Sequence, residues 1–203
     1  MNKNSVAFVG IALALATTGL LASGDQRSSD EPRYTSSGRM LRPDNYREWV
    51  YLSSGLGMSY SPQATMSGNP PFDNVFVTPA AYRVFMRTGT WPDKTAFVLE
   101  VRASQNKGSI NKRGQFQGAV LGLDVHVKDE SRFKQKWAFF NFESSSESAS
   151  MIPTSEDCYS CHEQHGAVDT TFVQFYPTLL PLAKEKGTLS AAYQKEAASS
   201  PQK

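Results

Sequence analysis

The run Thr95-Ala96-Phe97-Val98-Leu99-Glu100-Val101-Arg102 alternates, with Phe97, Leu99 and Val101 on one face and Glu100 and Arg102 on the other. Successive side chains of an extended chain point to opposite faces, so a period of two marks a strand with one face packed. Residues 116–127 and 137–142 read as two further strands, and the polar, Gly-bounded residues 107–114 join the first two. Short connections favour an antiparallel sheet. Toward the N-terminus, residues 72–77 and 49–52 also read as strands, and the Gly-, Ser- and Pro-rich residues 53–71 between them read as a loop. Thr78-Pro79 starts a helix that Gly89 closes, with Ala81, Val84, Phe85 and Thr88 on one face. The predicted class is therefore α+β, a mostly antiparallel β-sheet with peripheral helices.

The chemistry lies after the sheet, in Cys158-Tyr159-Ser160-Cys161-His162. A Cys-x-x-Cys-His run is the attachment signature of a c-type haem. Two thiols three positions apart lie on neighbouring parts of one helical turn and can each form a thioether to a vinyl group. The adjacent imidazole is then directed at the iron as proximal ligand. Thr154, with Asp157 three residues on, reads as the start of a haem-binding helix near the C-terminus. Two rivals fit less well. A thioredoxin-like Cys-x-x-Cys leaves the adjacent His unexplained. A zinc site needs further ligands, and no second Cys or His pair at zinc-finger spacing occurs. The predicted cofactor is haem c, covalently attached through Cys158 and Cys161, with His162 as the metal ligand.

The ends of the chain carry other signals. Lys3 precedes an apolar run from Val6 to Leu21, and Ala22-Ser23-Gly24 supplies small residues at its end, so residues 1–24 read as an export signal. An uncleaved membrane anchor is the alternative. Export to the periplasm agrees with a haem attached outside the cytoplasm. Residues 25–41 are polar and read as a flexible tether, residues 42–185 as the haem domain and residues 186–203 as a C-terminal tail. Removing Lys3 takes the formal charge from +2 to +1. That balance gives no electrostatic case for nucleic acid.

A sixth iron ligand is hard to find. No Met follows His162, and the upstream candidates are Met58, Met66, Met86 and Met151. His165 lies one turn after His162 and cannot reach the opposite haem face. His126 shares a strand face with Asp124, and two readings stand for it: a sixth ligand, or part of a solvent-facing polar row with Asp124 and Lys128. A five-coordinate iron, open to small gaseous or nitrogenous ligands, follows if none of these binds. Phe172, Phe175, Tyr176, Leu179 and Leu180 form a helical stripe that Pro177 must kink or end, and two readings stand for it, a cover for one haem face and packing on the sheet, which are compatible.

The runs Asn45-Tyr46-Arg47-Glu48-Trp49-Val50, Val75-Phe76-Val77-Thr78-Pro79, Gly122-Leu123-Asp124-Val125-His126-Val127-Lys128-Asp129, Trp137-Ala138-Phe139 and Phe172-Val173-Gln174-Phe175-Tyr176-Pro177 resemble the cytochrome P-460 family, which includes the beta-type cytochromes c-prime. The resemblance implies a mostly antiparallel β fold, commonly a homodimer, around a five-coordinate c haem. It also implies one of two activities. Cytochrome P-460 members cross-link a strand lysine to the porphyrin and use a distal carboxylate to move protons while oxidising hydroxylamine. Beta-type cytochromes c-prime lack the cross-link, have an apolar distal pocket and bind nitric oxide. By position, the carboxylate falls on Asp124 and the lysine on Leu99, while Asp73 stands where hydroxylamine-oxidising members have Arg. Leucine cannot form the cross-link, although Lys94, Lys107 and Lys112 stand nearby. The expectation is an apolar pocket lined by Phe97 and Leu99 that binds nitric oxide or related nitrogen oxides, with Asp124 as candidate proton donor. An enzyme that oxidises hydroxylamine or reduces peroxide through Asp124 is the first alternative. A six-coordinate electron-transfer cytochrome is the second.

Overall fold

The structure is a computed structural model that describes residues 30–59, 68–143 and 145–199. Five strands form one antiparallel meander in chain order: β2 (Val50–Leu56), β3 (Phe72–Val77), β4 (Ala96–Gln105), β5 (Phe116–Lys128) and β6 (Trp137–Glu143). A small second sheet pairs β1 (Met40–Leu41) with β7 (Ser148–Ala149). Helix α1 (Pro79–Thr88) lies between β3 and β4, and α2 (Asp157–His165), α3 (Leu180–Lys186) and α4 (Ala191–Ser199) follow the sheet. The α+β reading of the sequence is the fold observed. Among the described residues, no helix is long and apolar enough to cross a membrane.

The meander is covered on both faces. On one, Val98, Leu123, Val125 and Phe142 pack with Met40, Tyr46 and Trp49. On the other, Val77, Phe97 and Trp137 pack with Phe85, Trp91, Val173 and Leu179 from the helical side. Trp91 anchors this second core. It lies 4.0 Å from the Phe85 ring, and its buried indole N–H donates to Thr171 Oγ1 at 2.9 Å. A buried indole needs such an acceptor, so one hydrogen bond fixes the segment after α2 against the sheet.

Glu100 is the buried charge on the first face, 2% exposed. Arg102 Nε donates to it at 2.6 Å, and Tyr46 Oη and the Arg47 guanidinium donate to its other oxygen. The strand alternation read from the sequence therefore holds a charge inside, because two cations and a phenol close around it.

Several local readings are corrected. β2 continues through Ser53, Ser54 and Gly55, which pair with Val75, Asn74 and Asp73, so the first part of the expected 53–71 loop is strand. Cross-strand pairing outweighs the composition of those residues. Residues 60–67 of that loop lie outside the described residues, as does the expected export signal at 1–24. Within the expected tether, Met40 is buried and Arg39 donates to Ser148 and Ser150, so its end is docked. The haem-motif helix begins at Asp157 with Glu156 as N-cap rather than at Thr154. The stripe after it breaks at Pro177 into a 3₁₀ turn (Val173–Phe175) and α3. Within the expected tail, α4 is held to α2 by His165 Nδ1 and Glu196, 2.9 Å apart.

Candidate functional site

The strand register sets three rows of side chains across one face of the meander. Phe139, His126 and Phe97 are in register in the first, Asp124, Leu99, Val75 and Ser53 in the second, and Val101, Asp73 and Gly55 in the third. Each row lies two residues along the strands from the last, about 6.6 Å. Together they wall one side of a cavity of about 620 Å³. The opposite wall is α2, with Cys158, Cys161 and His162, and the segment carrying Thr171, Phe172, Phe175 and Tyr176. The fold thus brings Phe97, Leu99, Asp124, Cys158, Cys161 and His162 to one space.

His162 stands at the first row. Its ring stacks on Phe172 at 4.1 Å and meets Phe139 at 4.6 Å. Nδ1 lies 2.7 Å from the carbonyl oxygen of Thr170. A carbonyl only accepts, so Nδ1 carries the proton and the lone pair is on Nε2. Burial holds the imidazole below its ordinary pKa, and the Thr170 bond only partly opposes this. A neutral, oriented imidazole with Nε2 exposed to the metal is the ligating form.

Local sequence explains how the carbonyl arrives there. Gly166 ends α2, and a Cβ on it would lie 2.6 Å from the His162 carbonyl oxygen and 2.9 Å from backbone atoms of Thr170 and Thr171. Only glycine allows the chain to fold back so tightly. Tyr159, inside the motif, ties α2 to the sheet side: its hydroxyl donates to the Ile152 carbonyl at 2.9 Å, and its ring meets Phe139 edge-on. Sequence reasoning missed Tyr159, Gly166 and Thr170 as parts of the site, while Phe172, in the stripe read either as a cover for a haem face or as sheet packing, lines the cavity. The glycine one residue beyond the motif helix was the available signal for the fold-back.

Neither cysteine is in a disulfide. Burial raises both thiols above the ordinary cysteine value, and nearby acids add to this, Asp124 for Cys158 and Asp157 for both. A thioredoxin-type site depends on the opposite shift. Among the described residues, no three His, Cys, Asp or Glu side chains converge as a metal cage, so the zinc alternative lacks its ligands.

His126 corrects the solvent-facing reading. It is buried, not in a solvent-facing row. Its ring lies 5.0 Å from that of His162, edge to face. His126 and His162 therefore meet directly at one end of the cavity that both line. Lys128 is buried as well, its ammonium donating to the Trp91 carbonyl at 2.8 Å. Of the Met candidates, Met58 lines the cavity at the third row, Met86 and Met151 are partly exposed elsewhere, and Met66 lies outside the described residues.

Asp124 faces the cavity and accepts from Asn141 Nδ2 at 2.6 Å. Burial raises its pKa and the Asn141 bond offsets part of the rise. Asp73, one row further, is raised by burial and by the charge of Asp124. No lysine lines the cavity among the described residues, and Lys94 is bound to Asp129 and Ser131 instead.

The cytochrome P460 family model matches residues 43–173, well over half of the chain. The chain belongs to the cytochrome P460 family. No curated protein matches it. Cytochrome P460 is a family of haem-binding cytochromes, and the residues present fit that group on three counts. The cavity has the size and the apolar lining of a cofactor site. One wall presents a neutral imidazole whose orientation is set by a backbone carbonyl. Beside it stand two protonated thiols on one helical turn.

Proposed function

We propose that this cytochrome P460 chain is an exported mono-haem c-type cytochrome that binds nitric oxide or a related small nitrogen oxide. Cys158 and Cys161 would hold the haem by adding S–H across its vinyl groups, and His162 would ligate the iron through Nε2. A haem held in this way supplies an iron with one open position for a small ligand. The observation that carries the reading is the pair Leu99 and Asp124, in register on β4 and β5 within the cavity wall. Leu99 occupies the place of the cross-linking lysine, so the porphyrin would stay unmodified.

The rest follows from the chain's own side chains. Phe97, Leu99, Val75 and Val101 present apolar surface to the cavity, which excludes water and favours a neutral diatomic. Asp124, with its raised pKa, can hold a proton inside that wall. Export to the periplasm and pairing into a homodimer belong to the same proposal.

The test is the full chain produced in a host that attaches c-type haem. Covalent haem, a high-spin five-coordinate ferrous spectrum with an ordinary Soret band, and nitric oxide binding are expected. A strongly red-shifted ferrous Soret band would overturn the role given to Leu99. Asp124 favours a second reading, an enzyme oxidising hydroxylamine or reducing peroxide. It predicts catalytic current from the electrode-bound protein with either substrate.

A further inference from the structure

His162 is held in a box of rings. Phe172 stacks on it, Phe139 lies against it, and His126 closes a third side at 5.0 Å with its plane turned by 74°. His126 is itself clamped, stacked on Phe139 at 4.0 Å with an interplanar angle of 12° and packed on Trp137 at 4.4 Å. A phenyl group would fill this place as well, so packing does not account for an imidazole. The polar reason lies at Thr170. His126 Nε2 is 3.4 Å from Thr170 Oγ1, and the carbonyl of the same residue accepts a hydrogen bond from His162 Nδ1–H. One residue thus receives both imidazoles, the hydroxyl facing one and the carbonyl the other.

We propose that His126 is a positioning residue for the proximal ligand: through the Thr170 hydroxyl it fixes the carbonyl that orients His162 and sets how strongly that imidazole donates to iron. This rests on the haem reading above. A hydrogen bond from Nδ1–H to a carbonyl gives the ring more imidazolate character, strengthens its bond to the metal and lowers the iron potential. Loosening the carbonyl weakens all three effects.

The experiment uses the full chain with its haem attached, as wild type, His126→Phe, His126→Gln, Thr170→Val and the Phe/Val double variant. The readouts are the iron–histidine stretching band of the ferrous protein and the reduction potential. His126→Phe is expected to lower the band and shift the potential positive. Thr170→Val keeps the carbonyl but removes the hydroxyl, and it should shift both readouts the same way. The double variant should shift no further than either single one, because the two side chains act through one contact. His126→Gln, which keeps a polar group at the position of Nε2, should return part of the shift. A wild-type band and potential in haem-loaded His126→Phe and Thr170→Val would overturn the proposal while leaving haem attachment intact. A wild-type chain that carries no covalent haem would overturn the reading beneath it.

Discussion

His162 Nδ1 and the carbonyl oxygen of Thr170 lie 2.7 Å apart, although the two residues are eight positions apart in the chain. The contact exists because the backbone doubles back at Gly166, whose missing Cβ leaves room for the His162 carbonyl and for Thr170 and Thr171. These neighbours are backbone atoms, which cannot swing aside as a flexible side chain would. Gly166→Ala should therefore force the return segment outward, with a cost of about 1–3 kcal/mol, the usual range for overpacking. Thermal unfolding checks the stability, and the ratio of haem absorbance to protein checks the site. Both should fall, and an unchanged melting curve would show that the fold-back tolerates a methyl group.

The two thiols can be separated from the imidazole. In Cys158→Ala or Cys161→Ala one thioether remains possible, and the haem should stay with the chain on a denaturing gel. In the double variant no bond holds it, so acidified organic solvent should extract all of the haem. Retention in the double variant would mean that attachment runs through another side chain.

The sheet was legible because its two-residue alternation is long and its faces are apolar. The same pattern misled at His126 and Lys128, which alternate with Val125 and Val127 as an exposed polar row would. Their burial depends on partners distant in sequence, Trp91, Thr170 and His162, that periodicity cannot supply. The motif at 158–162 was legible as chemistry because thiol and imidazole spacing is local. What orients its imidazole, a main-chain carbonyl, leaves no trace in residue type. At Ser53 to Leu56, composition indicated a loop, and pairing with β3 made a strand.

Glu100 should make stability depend on pH in a definite direction. Burial by itself would raise its carboxyl, but bonds from Arg102 and Tyr46 and the charges of Arg47 and Arg102 more than offset this, and the net shift is downward. A lowered carboxylate contributes stability above its unfolded pKa, and that contribution is lost as pH falls through the folded value. Glu100→Gln, which removes the charge but keeps the shape, should cost about 1.5–3 kcal/mol near neutrality, the range for hydrogen bonds to a charged group. Denaturant unfolding of both proteins across pH checks this. The difference between them should shrink in acid, and a constant difference would mean that the charge contributes nothing.

Asp124 should behave in the opposite sense. Burial raises its pKa, with only partial relief from Asn141, and its charge raises Asp73 in turn. A raised carboxyl contributes stability below its unfolded pKa, which is lost as pH rises through the folded value. Asp124→Asn removes a charge that the cavity wall holds poorly. The variant should therefore be more stable than wild type above that pKa, and the two should converge in acid. Asp73 should then titrate closer to an ordinary aspartate, because its neighbour no longer carries charge. Unfolding curves read the first effect, and carboxyl carbon chemical shifts of the ferrous, diamagnetic carbonyl form read the second. If Asp124 is also the proton donor of the enzymatic reading, catalytic current with hydroxylamine or peroxide should vanish in the same variant while nitric oxide still binds. Current that persists in Asp124→Asn would leave the carboxylate a feature of the wall and nothing more.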